Sequence, residues 1–494
     1  MENYVSNHEK LKFTKKITLF STVTIMLLIL IALMGEVINQ DHEFLSPLSL
    51  LFFFFTSIIC ITLALLPSVT AQFTALYYCV FFLHRVILVY FIPDWLDYKE
   101  YFLNSKDFIE GASIFFFFCM LALMFGFLIP LLSKSRNNSD KNLHINNLTY
   151  ISFFKVKTSL FYLINYAILI TLTLLIFQFY INIYLSIGRT GSLLIDNDFN
   201  IEIALILLIK SAIPVGIFGL VVSLNIQNKK NRNCSLILLL ICLISALIST
   251  SRGVMLTFIL YFYYAVCILE IKNQKKYIIT LITIGAISII FFPFITYLRA
   301  FLNEADYTLL EQIKAFTPIR EISGRVGYGF EGYLLWYKYL ELGSNESLPS
   351  IYSEIIRLIN GFVPGEIFKE QELVNIAKLQ VLIGRPEIPY YNTVEYLNQS
   401  GGGHGESIGA YGLAFLLFGF IAPLFFFTTG YLACLLEYSK INIFWIFYIN
   451  LFLIATPSLL PTPTTLRETL FIICLILVAF LLKKIKSNVR VHSY

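Results

Sequence analysis

Apolar runs close to the length of a bilayer crossing recur along the whole chain, and they limit its folding more than any other feature. A hydrocarbon core of about 30 Å takes about 20 apolar residues of helix. Such runs fall at 17–38, 46–66, 70–92, 111–133, 159–185, 201–224, 235–250, 254–270, 277–299, 407–435, 442–460 and 468–483. Backbone amides cannot stay unpaired in hydrocarbon, so each run must close its hydrogen bonds within itself as a helix. Only 14% of residues are charged. Soluble domains carry about a quarter, so the surplus apolar surface has to face lipid. The expected fold is an all-α polytopic membrane protein of about 12 transmembrane helices. Residues 1–299 hold the first nine spans, 300–406 form a loop outside the bilayer, and 407–494 hold the last three.

Basic residues set the orientation. Lys10, Lys12, Lys15 and Lys16 precede the first run, and Lys134, Lys229, Lys230, Lys272, Lys275, Lys276, Lys440, Lys483 and Lys484 fall on alternate connections. The short connections on the other side carry Lys99, Lys106, Arg189, Arg252 and Arg467. Both termini are therefore expected in the cytoplasm. The first run is followed by no small-residue cleavage site and reads as a retained anchor. The loop 300–406 lies outside in this arrangement. Its segments YTLLEQIKAF, EGYLLWYKYLEL and SEIIRLI have helical apolar spacing, which predicts a mostly helical cap. The eight cysteines lie in or beside apolar runs. They form no CxxC pair and no Cys/His cluster, so neither a metal nor a cofactor is expected.

Several charges stand where charge is costly. Glu36, Arg85 and Lys210 lie within or near the ends of apolar runs, and a cation at a helix centre costs about 3 kcal/mol on insertion scales. Such residues line a substrate or ion path, pair across helices, or snorkel to the interface; snorkelling suits Arg85 and Lys210. His84 reads as a satisfied core histidine. In ISTSRGVML, two short runs flank Ser251, Arg252 and Gly253. That turn is either a capped hairpin with an interfacial arginine or a phosphate pocket, since a helix start beside a cation suits an anion. Arg299, Arg320 and Arg325 follow at the mouth of the loop. Their planar forks fit phosphate, although Glu304, Glu321 and Glu331 offer ion pairs. Tyr390 and Tyr391 in PYYNTVEY present faces on which sugar rings stack, or they belong to an interfacial aromatic belt.

The loop re-enters the membrane through GGGHGESIGAYGLAFLLFGFIAPLFFF. Here Gly401 to Gly403 precede His404, Glu406, Ser407 and Tyr411, and Phe418-Gly419 follows. Glu406 and Ser407 also suit a plain helix cap. Together with the Ser-Arg hairpin and the single large outer loop, this layout resembles the O-antigen and capsular polysaccharide polymerases (Wzy-type). The resemblance implies a glycosyltransferase with a GT-C-like membrane fold in the bacterial cytoplasmic membrane. Its substrate would be an oligosaccharide on undecaprenyl diphosphate. Its neighbours would be the lipid bilayer and the flippase and chain-length regulator of the same pathway; no nucleic acid is expected. Arg252, Arg299, Arg320 and Arg325, with Ser251, would hold the diphosphate. His404 or Glu406 would act as base, and Tyr390, Tyr391 and Tyr411 would contact sugar. A lipid-linked oligosaccharide flippase or transporter and an O-antigen ligase are the rival readings.

Overall fold

The computed structural model describes residues 2–39, 45–92, 106–135, 150–151, 156–157, 259, 262–267, 276–280, 283, 287 and 418–438. The described part is helical apart from one antiparallel pair of two-residue strands, which pairs Tyr150 with Lys157 and Ile151 with Val156. That pair departs from the all-helical expectation. The helices are α1 (Glu2–Asn39), α2 (Pro47–Leu65), α3 (Val69–Tyr78), α4 (His84–Phe91) and α5 (Lys106–Ser135), and later α6 (Ala422–Tyr438). A π-helical turn, Cys79–Leu83, joins α3 to α4. The continuous helix from 69 to 91 is about 34 Å long at 1.5 Å per residue. Among the described residues, three helical stretches are each long and apolar enough to cross a membrane: Lys15–Glu36, Pro47–Leu65 and Ile109–Ser133.

Polarity in the bundle is arranged for lipid. Phe20 is 76% exposed, and Ile31, Met34, Phe118, Leu132 and Leu424 also point outward. Inside are Thr18, Thr22, Ser49, Thr56, Ser57, Thr70, Thr74 and Ser113. Several of these hydroxyls close on their own helix. Thr56 donates to the Phe52 carbonyl, Ser57 to Phe53 and Thr74 to Thr70, at 2.7 to 2.8 Å. Such back-bonding removes the cost of an unpaired hydroxyl in an apolar interior. The chain is thus a helical membrane protein.

Two runs of four phenylalanines hold α2 against α5. Phe52 meets Phe117 at 5.5 Å and Phe53 meets Phe116 at 6.4 Å between ring centroids. Phe116 also stacks on Phe82 at 5.0 Å. At the start of both helices, the Ser46 hydroxyl donates to Glu110 at 3.0 Å. The same register holds along both, so α2 and α5 run parallel.

The helix α6 crosses α5 at glycines. A Cβ built on Gly126 would collide with the Phe427 carbonyl oxygen and lie 2.8 Å from the Tyr431 nitrogen. A Cβ on Gly430 would lie 2.5 Å from the Leu123 carbonyl oxygen. Backbone therefore packs on backbone, an approach open only to the smallest residue.

The tenth apolar run does not form one helix over 407–435. Within the described residues a 3₁₀ turn, Gly419–Ile421, precedes α6, and α6 continues to Tyr438. The break has a local cause. Gly419 has φ 53°, a left-handed conformation that glycine adopts without strain. Pro423, which follows at once, suits the first turn of a helix because its missing N–H would have no partner there.

Candidate functional site

Among the described residues, two polar clusters lie at opposite ends of the bundle. The first gathers Lys15, Leu65, Ser68, Glu437 and Tyr438, and is called the lysine end below. Its centre is the start of α3. Ser68 is the N-cap, extended at φ −109° and ψ 123°, and its hydroxyl accepts the Ala71 amide at 3.1 Å. The Gln72 amide donates to the Ser68 carbonyl. The two remaining first-turn amides are met from far along the chain. Glu437 accepts Val69 N–H at 2.8 Å through Oε1, and Thr70 N–H at 3.1 Å through Oε2. Its Oε2 also accepts the Ser68 hydroxyl at 2.6 Å. A helix start leaves four amides without intrahelical partners, and here those of Val69, Thr70 and Ala71 are met by the Glu437 and Ser68 side chains. The carboxylate also sits at the positive end of the helix dipole.

The surroundings close this cluster off. Glu437 is only 8% exposed. The Tyr438 hydroxyl donates to the Pro67 carbonyl at 2.6 Å, and Gln72 Nε2 donates to that of Leu66 at 2.9 Å. Lys15 Nζ donates to the Leu65 carbonyl at 3.0 Å, capping the end of α2. The Thr70 hydroxyl lies 3.2 Å from that of Tyr264, and Phe73 packs on the Tyr264 ring at 4.8 Å.

The second cluster occupies the other end. Ser46, the N-cap of α2, accepts the Ser49 amide and donates to Glu110. Nearby in the chain's path are Glu36, near the end of α1, and Tyr90, near the end of α4. A Cβ on Gly35 would lie 2.8 Å from the Tyr90 hydroxyl oxygen, so the phenol lies across α1 at that level.

Arg85 and Glu36 are both inside the bundle, at 0% and 2% exposure. Arg85 does not snorkel, contrary to the sequence reading. It stands two residues beyond the π turn, a distortion frequent at functional sites in helices. His84 is half-buried, and its Nδ1 is buried with no hydrogen-bond partner among the described residues. That differs from the satisfied core histidine the sequence suggests. Among the described residues, no group of His, Cys, Asp and Glu is arranged to hold a metal ion.

The residues singled out for chemistry lie outside the described residues: Ser251, Arg252, Arg299, Arg320, Arg325, Tyr390, Tyr391, His404, Glu406 and Tyr411. Lys210 and the loop 300–406 lie outside them too. Sequence reasoning misses Glu437, which in the sequence is only a polar residue after an apolar run. No family model, characterised protein or solved structure matches the chain.

Proposed function

We propose that the chain is a membrane glycosyltransferase of the polysaccharide-polymerase kind, joining oligosaccharide repeat units carried on undecaprenyl diphosphate at the outer face of the cytoplasmic membrane. The observation that carries this reading is the direction of α6. That helix ends at the lysine end, where Glu437 meets Ser68 and Tyr438 meets Pro67. The chain therefore enters α6 from the opposite face, at the Gly419–Ile421 turn, and GGGHGES lies upstream of that turn in the sequence. With the lysine end cytoplasmic, as its basic residues favour, α6 starts on the outer side, which supports reading GGGHGES as part of an outer approach.

The chemistry then follows from charge. The transferred glycan leaves a lipid diphosphate, whose developing charge needs fixed cations. Arg252 and Arg299 would supply them, with Arg320, Arg325 and Ser251 nearby. The acceptor hydroxyl must lose a proton, and His404 or Glu406 would take it. Tyr390, Tyr391 and Tyr411 would hold sugar faces. No resident cofactor enters this scheme.

The test is deletion of the gene with profiling of surface glycan. Loss of long chains with single repeat units retained supports polymerase, and Arg252→Ala and His404→Ala should each reproduce it. A finished polymer left unattached would point to a ligase instead. A second reading, a flippase for the lipid-linked unit, is favoured by the buried Glu36 and Arg85. Intramembrane charges of this kind commonly mark translocation paths. In that case Arg85→Ala abolishes all surface glycan and lipid-linked units accumulate facing the cytoplasm.

A further inference from the structure

The helix α6 is held at two levels by contacts of different physical kinds. Midway along it, Gly430 and Gly126 put its backbone against that of α5. Rotation of either helix would drive a side chain into main chain, because no space is left for even a Cβ. At its end, Glu437 makes three hydrogen bonds to the start of α3, and Tyr438 makes one to Pro67. Sliding α6 along its axis would break all four and leave two amides of α3 bare. One contact opposes rotation and the other opposes translation.

We propose that α6 is the static post of the membrane domain, registered on α3 and α5 throughout the working cycle, with conformational change carried by other helices. Glu437 is then a positioning residue: it touches no substrate and acts by fixing the helix that follows the Gly419–Ile421 turn. The functional half of the test rests on the transferase reading; the structural half does not.

The structural half is hydrogen exchange of the full chain in lipid nanodiscs. The Val69 and Thr70 amides should exchange as slowly as the middle of α5, and quickly in Glu437→Ala. Fast exchange in the unsubstituted protein overturns the proposal. The functional half uses Glu437→Ala and the double variant Ser68→Cys/Glu437→Cys, with glycan product measured per molecule of membrane-inserted protein. The alanine variant should lose about tenfold or more, the effect of a comparable shift in the competent population. Bridging the two introduced thiols with a short bis-methanethiosulfonate, the link confirmed by mass spectrometry, should restore product to near the unsubstituted level, since the contact runs through a whole glutamate side chain and is too long for a direct disulfide. Reduction should remove it again. Activity that is blocked by the link and regained on reduction shows that the contact opens in each cycle, and overturns the post. Full product from Glu437→Ala overturns it as well. If the unsubstituted chain makes no polymer while exchange behaves as described, the transferase reading fails and the post stands.

Discussion

The two ends of the bundle solve the same problem with unequal means. At each, a serine caps a helix and a glutamate from another helix reaches it. Ser46 receives Glu110 through one hydrogen bond, whereas Ser68 and the two residues after it receive Glu437 through three. The reason lies in the first residue of each helix. Pro47 opens α2 and has no N–H to satisfy, so a local cap nearly suffices. Val69 and Thr70 open α3 with two amides that Ser68 cannot reach. An exposed start can leave such donors to water, but a buried one needs a partner. Where the sequence supplies a proline, the distant carboxylate is an accessory; where it does not, the carboxylate is a requirement.

The comparison can be broken first at its strong side. Glu437→Ala removes the acceptor of three bonds at a nearly buried site and should cost about 3 kcal/mol or more, as when one partner of a buried charged network is deleted. Denaturant titration of the purified protein in detergent measures it. Gly430→Ala separates the cap from helix packing. It forces α6 away from the Leu123 carbonyl and should cost about 1–3 kcal/mol, the range for overpacking, with the Glu437 bonds left in place. A sharper version makes α3 resemble α2. Ser68 is already extended, as a residue before proline must be, so Val69→Pro removes one donor that Glu437 serves. In that background Glu437→Ala should cost less than in the parent, by about 1 kcal/mol for the missing bond, read as the coupling in a double-mutant cycle. The weak side gives the smallest effect: Glu110→Ala should cost about 1 kcal/mol or less, since a single bond is lost. Equal losses at Glu110 and Glu437 would refute the account.

What could be read from the sequence follows the same division between local and distant causes. The limits of α2 fall within a residue of the apolar run 46–66, whose ends also carry Ser46-Pro47 and Leu66-Pro67. The three membrane-length helices emerge because apolar length is also local. Glu437 does not, because a cap made across 368 positions leaves no pattern near either partner. The π turn escapes as well: CVFFL contains no glycine or proline to announce it. Gly419 and Pro423 mark the division of 407–435, but a continuous apolar stretch outweighs them. The candidate site rests on one rule, that charge at a span end has a purpose. In the described residues that rule selects Glu36 and Arg85, and both face inward. Glu437, two residues past the run 407–435, meets the same rule and is passed over; what the rule does not give is its partner, the start of another helix.

The hydroxyls of Thr56, Ser57 and Thr74 bond within their own helices, so α2 and α3 can enter the bilayer one at a time with these groups already paired. The start of α3 is the exception. Its carboxylate partner is made 368 residues after Val69, which at a synthesis rate of about 5–20 residues per second is a wait of about 20–70 s. During that interval interfacial water has to serve the Val69 and Thr70 amides, and completion of α6 on the ribosome is the event that dries them.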